Sequence, residues 1–84
     1  MERQVTMNHS EGFHARPASD FVEAAIQLKS KIEVVFQDKT ANAKSMLSLL
    51  KLGIEQGQSV VLRAEGPDAE EALETLGNIF ENKQ

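Results

Sequence analysis

The sequence contains no cysteine, few basic residues and no long apolar run, and each absence excludes a class of function. Without cysteine there is no disulfide, no thiolate zinc site and no thiol nucleophile, so stability must come from packing alone. Nine basic residues against 13 acidic ones give a net charge of -4. This charge disfavours nucleic acid as a partner, because contacts to phosphates need a basic face. No apolar run approaches the roughly 18 residues that insertion into a membrane requires.

The length and even composition of the chain predict one structural domain. The 84 residues suffice for one small domain, and no linker, low-complexity tract or internal repeat divides them. We therefore expect a single domain over residues 1–84, with a core too small for a deep substrate cavity. The N-terminal residues, MERQVTMNHSEG, lack the build of a secretion signal, so we expect a cytoplasmic protein.

Hydrophobic periodicity predicts strands and helices in the order βαββαβα. Alternating apolar and polar side chains predict strands at residues 2–8, 32–36, 40–43 and 59–65. Apolar residues at offsets of three and four predict helices from Ala15 to about Leu28, over 46–52 behind an N-cap at Ser45, and after Gly66-Pro67-Asp68. The acidic residues at the start of the third helix, Asp68, Glu70 and Glu71, complement the helix dipole. The expected hairpin turn between the second and third strands is Asp38-Lys39.

This order of elements predicts an α+β fold. Three helices in so small a chain can each find a packing partner only on one face of a shared sheet. The other face of the sheet is then open to water, which is typical of antiparallel strands. We expect an open-faced β-sandwich, in which a four-stranded antiparallel sheet carries three helices on one face.

The stretch Gly12–Ala18, GFHARPA, carries the side chains best suited to chemistry. It lies at a strand-to-helix junction, where the first N–H groups of the helix lack partners and the helix dipole favours an anion. A histidine such as His14 can be a nucleophile there, because the backbone stabilises its phosphorylated form. Arg16 adds a cation that can pair with phosphoryl oxygens. Pro17 restricts the backbone, and Gly12 permits a tight turn.

A purely structural role for His14, as the cap of the helix, is the competing interpretation. It is the more common role for an isolated histidine before a helix. Arg16 argues against it, because a cation near a helix N-terminus opposes the dipole by roughly 0.3–1 kcal/mol. That cost is easier to understand if an anion binds there, and the residues alone leave the two interpretations evenly balanced.

Three landmarks of the sequence together resemble the histidine-containing phosphocarrier (HPr) family of bacterial sugar uptake. Gly12–Ala18 is similar to the family's phosphorylation loop, with Phe13 in place of the more usual leucine. Lys44-Ser45 opens a short apolar helix, and a strand near residues 60–66 precedes an acidic helix start. The landmarks occur at the family's spacing and span nearly the whole chain.

The resemblance implies a phosphoryl carrier of the sugar phosphotransferase system, acting in a relay rather than as a stand-alone enzyme. His14 would accept phosphate on Nδ1 from phospho-enzyme I, which phosphoenolpyruvate charges, and donate it to enzyme IIA domains. Arg16 would steady the phosphoryl group, and Pro17 would hold the helix start. The resemblance implies a monomer without a cofactor or metal. Successive partners would share an apolar docking patch formed by Phe13, Ala18, Phe21, Met46, Leu47 and Leu50.

Ser45 has two compatible roles. On local grounds it is a helix N-cap. In Gram-positive members of the family a dedicated ATP-dependent kinase phosphorylates the matching serine, and added charge near the docking patch would repel acidic surfaces of enzyme I. The resemblance therefore adds HPr kinase/phosphorylase and a catabolite control regulator as candidate partners. Residues 46–48, MLS, differ from the IMG usual in Gram-positive members.

Three other functions compete with that of a carrier. A regulatory binding module that acts only through the serine would lack the histidine, so the presence of His14 argues against it. A carrier of the nitrogen-related branch of the same system is closer, but Lys44-Ser45 and residues 21–24, FVEA, favour the sugar branch. A hydrolase is disfavoured because no second acid–base group lies near His14 in sequence.

His9 stands at a spacing from His14 that matches no common metal motif, so we interpret it as a solvent-facing residue at a strand end.

Overall fold

The computed structural model describes residues 1–83, and the observed elements follow the predicted order. The strands are β1 Glu2–Thr6, β2 Lys31–Phe36, β3 Lys39–Asn42 and β4 Ser59–Glu65. The helices are α1 Ala15–Ile26, α2 Met46–Leu50 and α3 Ala69–Phe80. The bounds of β4 match the prediction, whereas β1, α1 and α2 end two residues earlier than their apolar patterns suggest.

The four strands form one antiparallel sheet in the order β1-β4-β2-β3. Val5 pairs with Val60, and Val34 lies between Leu62 and Ala41, so these apolar side chains share one face. Apolar residues on this face are buried, whereas Arg3 and Lys39 in the two edge strands and the residues of the opposite face are partly or fully exposed. The three helices cover the buried face, and α1 packs against both α2 and α3. The predicted open-faced sandwich is therefore confirmed.

The uncovered face of the sheet is polar at its centre. Arg63 of β4 lies directly between Glu2 of β1 and Glu33 of β2. Its Nε is 2.9 Å from Glu2 Oε2, and its Nη1 is 3.8 Å from Glu33 Oε1. These partly exposed ion pairs add little stability, but they keep this face compatible with water. Of residues 1–83, none belongs to a helix that is both long and apolar enough to cross a bilayer.

The β2–β3 hairpin differs from the expected turn at Asp38-Lys39. Phe36 pairs with Lys39, so the two-residue loop is Gln37-Asp38 and Lys39 already belongs to β3. Gln37 has φ of +56°, in the left-handed region where glycine and asparagine are the usual residues. The expected position was wrong because glutamine carries no turn signal, whereas aspartate does.

The start of α3 has the predicted acidic residues, and Asp68 also makes contacts that its sequence neighbours do not indicate. Glu70 and Glu71 lie in its first turn, where they complement the dipole. Asp68 occupies the N-cap position, but its side chain makes no capping hydrogen bond. It instead accepts hydrogen bonds from Lys29 and Ser30, in the loop between α1 and β2. The carboxylate at the start of α3 therefore also joins this helix to the loop before β2.

Candidate functional site

His14 is the N-cap residue of α1. Its backbone is extended, with φ of -95° and ψ of -171°, and its carbonyl accepts the N–H of Ala18 at 3.1 Å. Its side chain makes no capping hydrogen bond, and 41% of that side chain is exposed. The residue therefore starts the helix with its backbone and leaves the imidazole free for other chemistry. Among residues 1–83, no capping hydrogen bond supports the interpretation of this ring as the cap of the helix.

The backbone beside His14 can receive an anion. Within residues 1–83 no acceptor binds the N–H of Ala15 or of Arg16, and Pro17 has no N–H. Unpaired N–H groups and the helix dipole together make this end of α1 electropositive. The side chain of Arg16 is exposed and has no carboxylate within ion-pair distance among the described residues. The N-terminal end of α1 therefore combines the partial positive charge of the helix with the full charge of Arg16, two residues after His14.

Glu11 is a neighbour of His14 that the sequence reasoning missed. Its Oε2 lies 3.6 Å from His14 Nε2, and its side chain is 77% exposed. At that distance the pair is not a hydrogen bond, and an exposed pair contributes little stability. The contact nonetheless engages Nε2 rather than Nδ1, the nitrogen that the sequence analysis assigned to the phosphoryl group. The three-residue spacing of Glu11 and His14 was visible in the sequence, but the turn that brings them together was not.

The loop before His14 packs closely against the segment after α2. Gly12 has φ of +77°, and a Cβ placed on it would lie 2.7 Å from the carbonyl oxygen of Ile54. The next residue, Phe13, donates its N–H to that same oxygen at 2.9 Å. Glycine is therefore required at residue 12 both for its backbone conformation and for the close approach. This contact fixes the position of the loop that carries His14 relative to the segment after α2.

The expected docking patch is only partly at the surface. Phe13, Ala18 and Phe21 are 5%, 0% and 0% exposed, so including them in a surface patch was wrong. Their side chains fill the core beneath α1, because the apolar stripe of that helix faces the sheet. Leu47 and Leu50 of α2 are 66% and 37% exposed, and Met46 is half-buried. Of the expected docking patch, the part that partners could reach therefore lies on α2, next to α1.

Ser45 caps α2 as the sequence predicts. Its Oγ accepts the N–H of Ser48 at 3.3 Å and lies 3.0 Å from Ser48 Oγ. Lys44 is half-buried, and its Nζ donates to the carbonyl of Leu28 at 2.8 Å, just beyond the end of α1. These contacts tie the start of α2 to α1.

His9 is not the solvent-facing residue that its position in the sequence suggests. It is half-buried, and its Nε2 lies 2.7 Å from the carbonyl oxygen of Ile79 in the last turn of α3. The interpretation was wrong because α3, seventy residues further along the chain, packs against this loop. Among residues 1–83, no group of three or more histidine or acidic side chains could hold a metal ion.

Comparison with known proteins identifies the arrangement. A family model described as the PTS HPr component phosphorylation site matches residues 1–82. The chain belongs to the HPr family. A phosphocarrier protein HPr of Haloferax volcanii is 44% identical over 82 residues, which cover 95% of this chain and 92% of the relative. HPr proteins are phosphocarriers of the phosphotransferase system, so the general function predicted from the sequence is confirmed.

Solved structures of HPr proteins share the fold. The crystal structure of an HPr from Bacillus anthracis superposes with a TM-score of 0.92 at 36% identity, covering 95% of each chain. A structure of Crh, a catabolite repression protein of Bacillus subtilis described as a dimer with a swapping domain, has a TM-score of 0.82 at 34% identity. That match covers 98% of this chain and 94% of Crh.

Proposed function

We propose that this HPr-family chain carries a phosphoryl group on Nδ1 of His14, received from phospho-enzyme I and delivered to enzyme IIA domains. The observation that carries the proposal is the half-exposed ring of His14 beside the unpaired N–H groups of Ala15 and Arg16. A surface site suits a carrier, because two different partners must in turn enclose the same phosphoryl group.

The transfer follows from this geometry. The lone pair of Nδ1 attacks phosphorus, and the bond between phosphorus and the donor breaks as the new P–N bond forms. The phosphoryl oxygens gain hydrogen bonds from the two N–H groups and the guanidinium of Arg16, which require no rearrangement of the backbone. The ring keeps a proton on Nε2 and becomes cationic as Nδ1 bonds to phosphorus. Glu11, 3.6 Å from Nε2, is placed to balance that charge.

Pro17 contributes to the same site through the backbone. It is buried in the first turn of α1, where its missing N–H breaks no helical hydrogen bond. Its fixed φ stabilises the helical conformation of the residues that present their N–H groups to the phosphate. Pro17 therefore holds the anion site in its binding geometry before the phosphoryl group arrives.

Both partners dock on the apolar part of α2. Leu47 and Leu50 are large exposed apolar side chains on a helix that packs beside α1. An apolar contact surrounded by polar residues is typical of a transient protein interface. Docking at this position brings the active site of either partner over the N-terminus of α1.

Ser45 is a regulatory site in this proposal. Phosphorylation by HPr kinase/phosphorylase would add negative charge at the start of α2, next to Met46 and Leu47. Docking of acidic enzyme I surfaces would weaken, and a catabolite control regulator could recognise the modified surface. The likeness to Crh, a catabolite repression protein, supports a regulatory role. The hydroxyl of Ser45 must first leave its contacts with Ser48.

We further propose where and in what form the protein acts. The chain acts in the cytoplasm as a single HPr-like domain over residues 1–84, in the sugar branch of the system. It acts as a monomer in this proposal, although the similar protein Crh forms a dimer.

The experiment is to incubate the protein with enzyme I and phosphoenolpyruvate and to measure acid-labile phosphate. The expected result is one phosphoryl group per chain, which mass spectrometry of intact protein and its peptides assigns to His14. Adding an enzyme IIA domain should then discharge the labelled protein. Failure of the wild-type protein to acquire phosphate at His14 would contradict the proposal.

A further inference from the structure

Few local side-chain contacts fix the orientation of the His14 ring. Its side chain makes no capping hydrogen bond, and its contact with Glu11 is 3.6 Å long and exposed. The direction of the ring therefore depends on the backbone of Gly12 and Phe13 before it and on α1 after it.

Phe13 is held by the last residue of α3. The ring centroids of Phe13 and Phe80 are 5.0 Å apart, with an angle of 52° between the rings. Phe21 of α1 completes the cluster, at 5.5 Å from Phe13 in an edge-to-face arrangement and at 6.1 Å from Phe80. All three rings are buried, and Phe80 is 0% exposed. Because aromatic pairs have preferred geometries, the position of Phe80 restricts the position of Phe13.

The same end of α3 also binds the first part of the loop. Asn8 donates its N–H to the carbonyl of Phe80 at 3.3 Å, and His9 Nε2 lies 2.7 Å from the carbonyl of Ile79. The carbonyl of His9 in turn accepts the N–H of Gly12 at 2.8 Å. The loop from β1 to His14 is thus attached to the last turn of α3 near its beginning and near its end.

We propose that Phe80 is a positioning residue for phosphoryl transfer, which fixes Phe13 and thereby the backbone that directs His14. This inference rests on the proposed function of His14. Phe80 is fully buried and cannot contact a partner, and the exposed apolar side chains for docking lie on α2. Loss of the Phe80 ring should therefore misalign the nucleophile without changing docking. A misaligned nucleophile lowers the rate of the chemical step, and kcat falls while KM is unchanged.

The test is Phe80→Leu in the full chain, with enzyme I and phosphoenolpyruvate as the donor system. We expect kcat for phosphate acceptance to fall roughly tenfold while the KM of enzyme I for the protein changes less than about twofold. The control is Leu73→Ala, which removes buried carbon from the same helix about two turns earlier. The control should lower the melting temperature and leave kcat unchanged. If Phe80→Leu is unfolded at the assay temperature, Phe80→Met replaces it under the same criteria, because it keeps most of the volume without the ring.

A double-variant cycle tests whether Phe80 acts through Phe13. The double variant Phe13→Leu, Phe80→Leu should transfer phosphate no more slowly than the slower single variant, since both changes break one connection. If the double variant lost kcat by the product of the two single losses, the two residues would act independently and the inference would be overturned. A normal kcat for Phe80→Leu, or an equal loss of kcat in Leu73→Ala, would also overturn it. Absence of phosphate on His14 of the wild-type protein would instead contradict the proposed function, so the two failures are distinguishable.

Discussion

The carboxylate of Asp68, before α3, binds the backbone and the hydroxyl of Ser30, before β2. Asp68 Oδ1 accepts the Ser30 N–H at 2.9 Å and also the Ser30 hydroxyl, and Oδ2 accepts the Lys29 N–H at 2.8 Å. The hydroxyl of Ser30, followed by the N–H of Lys29, holds the pKa of Asp68 below its ordinary value. Ser30 is the only buried polar residue of the described chain, and this carboxylate satisfies it.

The Asp68 contacts predict a stability change with pH. A carboxylate whose pKa is lower in the folded state stabilises that state above its unfolded pKa, and the contribution disappears as pH falls through the folded pKa. Asp68→Asn should therefore melt at a lower temperature than the wild type at neutral pH. The difference should shrink once pH falls below the ordinary value of 3.8. Thermal melting by circular dichroism measures both, with Glu70→Gln in the same first turn as the control. A difference that is independent of pH would contradict the role of the ionised carboxylate.

Gly12 and Gly53 form a matched pair for the loop before His14. Both have positive φ, but a Cβ on Gly12 would lie 2.7 Å from the Ile54 carbonyl oxygen, whereas one on Gly53 has nothing within 4 Å. Gly53→Ala should cost about 1 kcal/mol of unfolding free energy for backbone strain, and Gly12→Ala should cost more. Urea denaturation measures both. Equal costs would show that the loop yields to the added methyl group.

His14→Ala should abolish phosphate acceptance and leave the fold intact. Among residues 1–83 the imidazole makes no capping hydrogen bond, and its contact with Glu11 is exposed, so the free energy of unfolding should change by less than about 0.5 kcal/mol. The matched control is His9→Ala, which loses the contact with Ile79 and should melt at a lower temperature, yet still acquire phosphate. Labelling of His14→Ala at a histidine would show that the site is misassigned.

Arg16→Glu should slow phosphate transfer in both directions while changing stability little. The substitution places a negative charge beside the phosphoryl oxygens, where the wild type has an exposed cation. Lys39→Glu in β3 makes the same change of net charge away from α1 and should transfer at the normal rate. The measurement is rapid-quench kinetics with enzyme I and with an enzyme IIA domain. Equal transfer rates for Arg16→Glu and Lys39→Glu would show that Arg16 affects transfer only through the net charge of the protein.

Ser45 variants separate capping from regulation. Ser45→Ala should lose roughly 0.5–2 kcal/mol of unfolding free energy. Ser45→Asp keeps a capping oxygen and should fold at least as well as the alanine variant, yet accept phosphate from enzyme I more slowly. Ser48→Ala is the control, because it removes the hydroxyl contact and keeps the N–H that Ser45 Oγ accepts. Phosphate acceptance by Ser45→Asp at the wild-type rate would leave Ser45 a helix cap without a regulatory role.

Local signals in the sequence predicted the elements well and the contacts between them poorly. The strand 59–65 and the cap at Ser45 depend on nearby residues, and both are as expected. His9 and Asp68 bind partners in distant elements, and their sequence neighbours indicate neither contact. The burial of Phe13 follows the same rule, since Phe80 covers it from the other end of the chain. Apolar periodicity placed His14 correctly before α1, whereas the resemblance could not distinguish an exposed apolar residue from a buried one.

The place of β4 in the sheet has a consequence for how the chain folds. Both β1 and β2 pair with β4, which follows them in sequence. The pairing of Val5 with Val60, for example, joins residues that are far apart in the chain. Only the β2–β3 hairpin is local, so most of the sheet requires closure of long loops, which slows folding relative to a helical bundle of similar size. During synthesis the sheet cannot close until β4 has emerged, and the loop that carries His14 lacks its cover until Phe80 follows. Until β4 emerges, the nascent chain therefore exposes β1 as an unpaired strand and leaves unpaired the edge of β2 that β4 later covers.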